Sequence, residues 1–178
     1  MPLFIISGVP GTGKSCLCRA LLQHYPFGLH LPVDDLREFV VSGIAHPVPT
    51  VGAETLRQFA LARRGAGQLA ALYGAAGFAV ALDDVLGPAD AAAFHLPEEP
   101  HKILLRADLN VVLERNRVRQ NKAFDPGHLE PVIRSLHAQQ RVDEYERHGW
   151  HVLHTTHLSV NDTARRILDW MASGGGPS

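Results

Sequence analysis

Residues 8–15 read Gly8-Val9-Pro10-Gly11-Thr12-Gly13-Lys14-Ser15, and this stretch decides the fold. It matches G-x-x-x-x-G-K-[ST], the pattern of a phosphate-binding loop. Its flanks agree. Leu3-Phe4-Ile5-Ile6-Ser7 is a short apolar run of the kind that forms a buried parallel strand, and an amphipathic stretch from Ser15 to about Tyr25 follows as a helix. Gly8, Gly11 and Gly13 free the backbone to turn its N–H groups around an anion. The helix N-terminus adds roughly half a positive charge. In that frame Lys14 reaches the terminal phosphates and the Ser15 hydroxyl ligates Mg2+, so the loop predicts a bound nucleoside triphosphate.

The 178 residues suit one domain with its own core, 46% of them hydrophobic and 20% charged. No apolar run approaches the ~18 residues of a membrane span. The first strand follows Met1-Pro2 without a basic segment, so it does not read as a signal peptide; the expectation is a cytoplasmic protein with no membrane partner. Seventeen Lys+Arg against 18 Asp+Glu leave a net charge of -1, which disfavours a broad nucleic-acid surface but leaves room for a small basic channel. Cys16 and Cys18 lie two apart on the first helix and face different ways, so they read as separate, partly buried thiols.

Beyond the loop, short apolar runs alternate with helical segments. This predicts an α/β fold with a five-stranded parallel sheet flanked by helices, in a single domain over 1–172 with a disordered tail at 173–178. Strands are expected at 3–7, 29–33, 78–82, 102–106 and 151–155. Helices are expected near 15–25, 35–44, 53–75, 88–95, 109–121, 129–148 and 160–172. The last opens with Ser159-Val160-Asn161-Asp162, a capping box.

In such a sheet, ligands sit outside the carboxyl ends of the strands. The polar residues there are Asp34-Asp35-Leu36-Arg37 after strand two, Asp83-Asp84 after strand three, Arg106 and Asp108 after strand four, and Thr155-Thr156 after strand five. With the phosphate loop, they make the inventory of a phosphoryl-transfer site. An alcohol acceptor needs a group to take its proton, and Asp34 or Asp35 suits that role, the other capping the next helix. Arg37, three residues beyond Asp34, could hold the acceptor or the γ-phosphate. Asp83 suits a strand-terminal acid that binds Mg2+ through water or accepts a bond from Ser15, and Asp84 could contact the acceptor.

Arg115 and Arg119 lie four apart on one helix face and could close over the phosphates, or be a solvated face paired with Glu114. Elsewhere such an arginine contributes on the order of 10³–10⁵ in rate. Residues 120–128 then read as a short lid. The expected nucleotide contacts are thus Gly8, Val9, Pro10, Gly11, Thr12, Gly13, Lys14, Ser15, Cys16, Arg115 and Arg119. His148, His151, His154 and His157 recur every three residues, but His151 and His154 fall on opposite faces of a strand and cannot share a metal.

These residues resemble the P-loop kinases that phosphorylate hydroxyl groups. Within them the chain is most similar to the 5′-hydroxyl polynucleotide kinase domain and to the zeta-toxin-like and chloramphenicol phosphotransferase-like kinases. The resemblance is carried by GVPGTGKS at 8–15, Asp34-Asp35-Leu36-Arg37, ALDDVLGP at 81–88 and ERNRVR at 114–119. It implies Asp34 as general base, Arg37 as acceptor-side arginine, Arg119 as lid arginine and Asp83 as third-strand acid, with ATP and Mg2+ as cofactors. The likeness is strong over 1–37 and 78–122 and poor over 45–75, where an acceptor would bind. Cys16 departs from the family's usual Thr, while Ser15 retains the hydroxyl.

The leading expectation is an ATP-dependent kinase acting on a hydroxyl of a small molecule such as a sugar acid, a nucleoside or an antibiotic. Arg57, Arg63 and Arg64 are available for an anionic acceptor. A 5′-hydroxyl polynucleotide kinase is the alternative, and it needs a basic path to Asp34. A nucleotide-dependent regulatory protein is the third, and it needs no acceptor base. No N-K-x-D segment reads guanine, so adenine is the default base, with Thr155 or Thr156 at its edge. The acceptor and the oligomeric state stay open.

Overall fold

The computed structural model of the protein describes residues 1–47, 50–118 and 129–176. The apolar runs form five strands: β1 (Leu3–Ser7), β2 (Gly28–Pro32), β3 (Ala79–Asp84), β4 (His101–Arg106) and β5 (His151–His154). They make one sheet in the order β2-β3-β1-β4-β5, with every neighbouring pair parallel. Parallel neighbours need crossovers, and the helices supply them. These are α1 (Lys14–Leu22), α2 (Val33–Glu38), α3 (Ala53–Ala75), α4 (Leu109–Arg117), α5 (Glu130–Gln139), α6 (Val142–Arg147) and α7 (Val160–Ala172). Among the described residues, no helix is long and apolar enough to cross a membrane.

Strand alternation sorts the core into two layers. Phe4, Ile6, Ala79, Ala81, Ile103 and Leu105 pack against Leu17, Cys18 and Leu21 of α1 and Ala164 and Ile167 of α7. Ile5, Val80, Leu82 and Leu104 face the other way, onto Ala66 and Ala70 of α3 and onto Tyr145 and Trp150. β3 is buried along its whole length, as a central strand covered on both faces must be. A smaller cluster of Val9, Ala107, Val112, Leu113 and Ile133 seats α4 and α5 beside the phosphate loop.

Three expected helices come out differently. The segment predicted near 35–44 is helical only over Val33–Glu38, after a Pro32 N-cap at φ -73. Asp34 and Asp35 both sit in its first turn, and neither caps it through a side chain, so the expected Asx cap is replaced by favourable charge at the dipole's positive end. The chain beyond α2 is held in an irregular path instead. Arg37 Nη2 donates to Ala45 O (2.6 Å), while Gln58 of α3 donates to Gly43 O (2.8 Å) and accepts from Ala45 N (2.9 Å).

The helix expected near 88–95 is a short 3₁₀ helix, Asp90–Phe94, ended by His95 at φ 51. The segment predicted as one helix over 129–148 breaks into α5 and α6, because Gln140 leaves helical geometry and its carbonyl accepts from Arg106 Nη1 (2.6 Å). The cap before α7 forms as expected, with Ser159 Oγ accepting from Asp162 N (3.1 Å). At the other end, Gly175 N donates to Trp170 O (3.0 Å).

Candidate active site

The loop after β1 owes its shape to two closures. Ser7 Oγ accepts from Leu86 N (3.0 Å), tying the end of β1 to the segment after β3. Thr12 Oγ1 and Thr12 N both donate to Val9 O (2.9 and 3.2 Å), closing the turn. Gly11 stands at φ 94, and a Cβ there would lie 2.5 Å from Val112 O of α4, so only glycine fits. Gly13, at φ 93, is the N-cap of α1. Lys14 and Ser15 therefore occupy the first turn of a helix that points its N-terminus at the loop. The Lys14 ammonium folds back to donate to Gly8 O (2.8 Å).

β3 brings two acids to this edge and, by alternation, aims them at opposite faces. Asp83 follows Ala79 and Ala81 towards α1. There its carboxylate accepts from His30 Nε2 (2.6 Å) and from the Ser15 hydroxyl. Burial would raise this carboxyl, but His30, Lys14 and Ser15 together outweigh it and hold Asp83 below the usual carboxylate value. Asp84 follows Val80 and Leu82 towards α3, where Arg63 Nε donates to it (2.6 Å) and Val85 N donates to its other oxygen (2.7 Å). Here burial wins over the arginine, the nearby Asp34 charge adds to it, and the Asp84 carboxyl is raised. Pro32 pairs with Asp83 across the sheet, which puts the start of α2 on the same edge as the end of β3.

The other predicted residues divide. Asp34 and Asp35 are exposed at the start of α2. Arg37 is only 6% exposed and stacks over the Phe59 ring at 3.9 Å, so it braces α2 against α3 rather than standing in open solvent. Arg63 approaches the same ring from 5.6 Å, while Arg57 is spent on an exposed pair with Glu54. Arg115 donates to Thr155 O (3.3 Å) at the end of β5, and Thr156 Oγ1 accepts from Asp108 N (3.0 Å). Arg117 turns to Glu130 of α5. Cys16 is exposed and Cys18 is buried. Arg119 and the predicted lid at 120–128 lie outside the described residues.

Between α2 and α3 runs a groove of about 490 Å³, lined mainly by Leu36, Val40, Leu61 and Leu69 with Arg37 and Gln58 at its polar side. It starts within one turn of Asp34. Sequence reasoning missed three residues that shape this edge: His30, Arg63 as a partner of Asp84, and Gln58. For His30 a signal existed. In Gly28-Leu29-His30-Leu31-Pro32 the two leucines alternate with the imidazole, which places it on the α1 face of the sheet.

No protein-family model matches the sequence, and no curated protein sequence does. Solved structures do match. A sugar kinase from Janibacter sp. HTCC2649 superposes with a TM-score of 0.67 at 15% identity, covering 100% of this chain and 99% of that one. Thymidylate kinase from Candida albicans gives 0.65 at 12%, covering 97% and 92%. Shikimate kinase from Acinetobacter baumannii, in complex with shikimate, gives 0.63 at 17%, covering 98% and 94%. At these identities the likeness shows a shared fold: the chain has the P-loop kinase fold, matched over essentially its full length.

Proposed function

We propose that the protein is an ATP-dependent kinase that transfers the γ-phosphoryl group to a hydroxyl of a small molecule. One observation carries the reading. Lys14, Ser15 and Asp83 converge at the phosphate loop, and Asp34 stands on the same edge in the first turn of α2, two residues after Pro32, which pairs with Asp83 in the sheet. That the superposed structures are small-molecule kinases supports it.

The donor set fits Mg2+. Ser15 and Asp83 offer hard oxygen ligands, already hydrogen-bonded to each other at the mouth of the loop. Bound there, Mg2+ would offset charge on the transferred phosphoryl group. The backbone N–H groups of residues 8–15 and the N-terminus of α1 hold the phosphates, and Lys14 exchanges its bond to Gly8 O for a phosphate oxygen. Asp34 accepts the proton of the acceptor hydroxyl and orients its oxygen for in-line attack. Asp84, fixed by Arg63, forms the wall on the α3 side, and Arg37 holds the segment that borders the acceptor. Arg115, held at the end of β5, supplies positive charge to the phosphates, and the resemblance gives Arg119 the role of lid arginine. The largely apolar groove between α2 and α3 favours an acceptor with an apolar body, such as a nucleoside or antibiotic, over a sugar acid.

The test is Mg2+-dependent ATP consumption across a panel of gluconate, nucleosides, aminoglycosides, chloramphenicol and a 5′-hydroxyl oligonucleotide. Wild type, Asp34→Asn and Asp35→Asn are run together. Acceptor-dependent turnover that falls about 10²–10⁴-fold in Asp34→Asn, and only a few-fold in Asp35→Asn, is expected of a general base at Asp34. Turnover that ignores the acceptor and is equal in all three proteins would mean a nucleotide-dependent regulatory protein instead.

A further inference from the structure

Behind the phosphate loop, three side chains of different chemistry point at one spot. Cys18 lies on α1 one turn beyond Lys14 and Ser15, so all three share the helix face that covers the end of β3. His30 comes from β2 and Asp83 from β3, both aimed at that face. The Cys18 Sγ, one His30 ring nitrogen and one Asp83 oxygen all lie within 4.8 Å of one another. Among the described residues, this is the group of His, Cys and acidic side chains whose donor atoms converge closely enough to share an ion.

The donor set selects the ion. A thiolate, an imidazole and a carboxylate together suit Zn2+ and its borderline-soft neighbours, whereas Mg2+ and Ca2+ prefer oxygen alone. Three protein ligands also leave a fourth position for water or the Ser15 hydroxyl. The His30 and Asp83 side chains are 11% and 9% exposed, so an ion reaches the spot from their side and not through the core behind Cys18.

We propose that Cys18, His30 and Asp83 form a site for a thiophilic divalent cation of the Zn2+ class, and that this cation excludes Mg2+-nucleotide by taking Asp83 away from Ser15. Binding forms a metal–sulfur bond and releases the Cys18 proton to solvent. It also replaces the His30–Asp83 hydrogen bond, because two ligands at Zn2+ bond lengths of about 2.0 Å in tetrahedral geometry sit about 3.3 Å apart. The required separation from 2.6 Å is within reach of a side-chain adjustment. Without a cation, burial and then the Asp83 charge push the Cys18 thiol up, and His30 and Asp83 bond to each other beside it. The exclusion rests on the kinase reading; the binding does not.

Co2+ is the probe for binding, titrated into the nucleotide-free protein and read by the thiolate-to-cobalt charge-transfer band. Wild type and Cys16→Ala are expected to give the band, and Cys18→Ala to abolish it. His30→Gln, which retains a donor for Asp83 but is a poor ligand, should weaken Co2+ binding at least about 100-fold, since loss of a direct ligand exceeds the cost of outer-shell changes. No band in wild type, or a band that follows Cys16 instead of Cys18, overturns the site whatever the protein's activity. Exclusion is read separately, as Zn2+-dependent loss of fluorescent ATP-analogue binding in the presence of Mg2+. It is expected in wild type and absent in Cys18→Ala; nucleotide binding unmoved by bound Zn2+ overturns the exclusion.

Discussion

Asp83 and Asp84 adjoin in the chain yet take opposite faces of β3, and their carboxyl groups are shifted in opposite directions. Asp83 meets a cationic and hydrogen-bonding wall built from α1 and β2, which favours its charged form. Asp84 meets a single arginine under deeper burial, which does not fully restore it. Two adjacent acids thus become a carboxyl held below its usual value on the α1 face and a buried, paired carboxyl held above it on the α3 face.

The Asp84–Arg63 pair makes a prediction about stability. Asp84 is 5% exposed, so removing Arg63 leaves a buried carboxylate with the Val85 N–H but no counter-charge. Arg63→Met should lower urea stability by about 3–5 kcal/mol at neutral pH. The double variant Arg63→Met/Asp84→Asn should regain most of that loss, because the stranded charge is gone. A single variant within about 0.5 kcal/mol of wild type would mean that the pair does not hold α3 to the sheet.

Gly67 and Gly65 should respond to alanine with opposite signs, although both lie inside α3. A Cβ on Gly67 would sit 1.8 Å from the Phe94 carbonyl oxygen, and backbone there cannot rotate away. Overpacking of about 1–3 kcal/mol then exceeds the helix-propensity gain of about 1 kcal/mol, and the variant is destabilised. Nothing lies within 4 Å of a Cβ on Gly65, so only the propensity term acts and Gly65→Ala should raise the melting temperature. Thermal unfolding of the two variants side by side checks both signs.

Acid should weaken the fold through surface carboxylates. Hydrogen bonds from Arg57 and Gln58 hold Glu54 at about 2, against an ordinary 4.5. Arg134 and Arg117 lower Glu130, and Ser159 lowers Asp162. Because these groups bind protons more tightly in the unfolded chain, they stabilise the fold above their ordinary values, and that contribution is lost as pH falls through the folded ones. Asp84 acts in the reverse sense, since its raised carboxyl takes up its proton more readily in the fold. Urea midpoints should therefore fall between about pH 5 and about pH 2.5, and fall more steeply in Asp84→Asn. A midpoint that is flat over this range would contradict the assigned shifts.

Much of this was legible in residues close together in the chain. The phosphate loop is a local object, because its glycines, lysine and serine act within eight consecutive positions between one strand and one helix. The five strands could be read for a similar reason: an apolar run of this length, bounded by turn residues, has few other ways to hide its surface. The Ser159 cap before α7 is a contact over three residues and was equally readable. The break at Gln140 was not, because it depends on Arg106, 34 residues away, taking a carbonyl that a continuous helix would have used.

The site divides along the same line. Sequence alone determined that a P-loop motif stands between a strand and a helix, that acids follow strands two and three, and that an amphipathic chain of this pattern folds as a parallel α/β sheet. Tertiary structure alone decided the strand order that sets β3 between β1 and β2, and with it the meeting of His30 with Asp83 across 53 residues and of Arg63 with Asp84 across 21. Hydrophobic periodicity states which face of an element is buried but not which element covers it. The partner, and with it the direction in which each buried acid is shifted, is set only when the sheet closes its register.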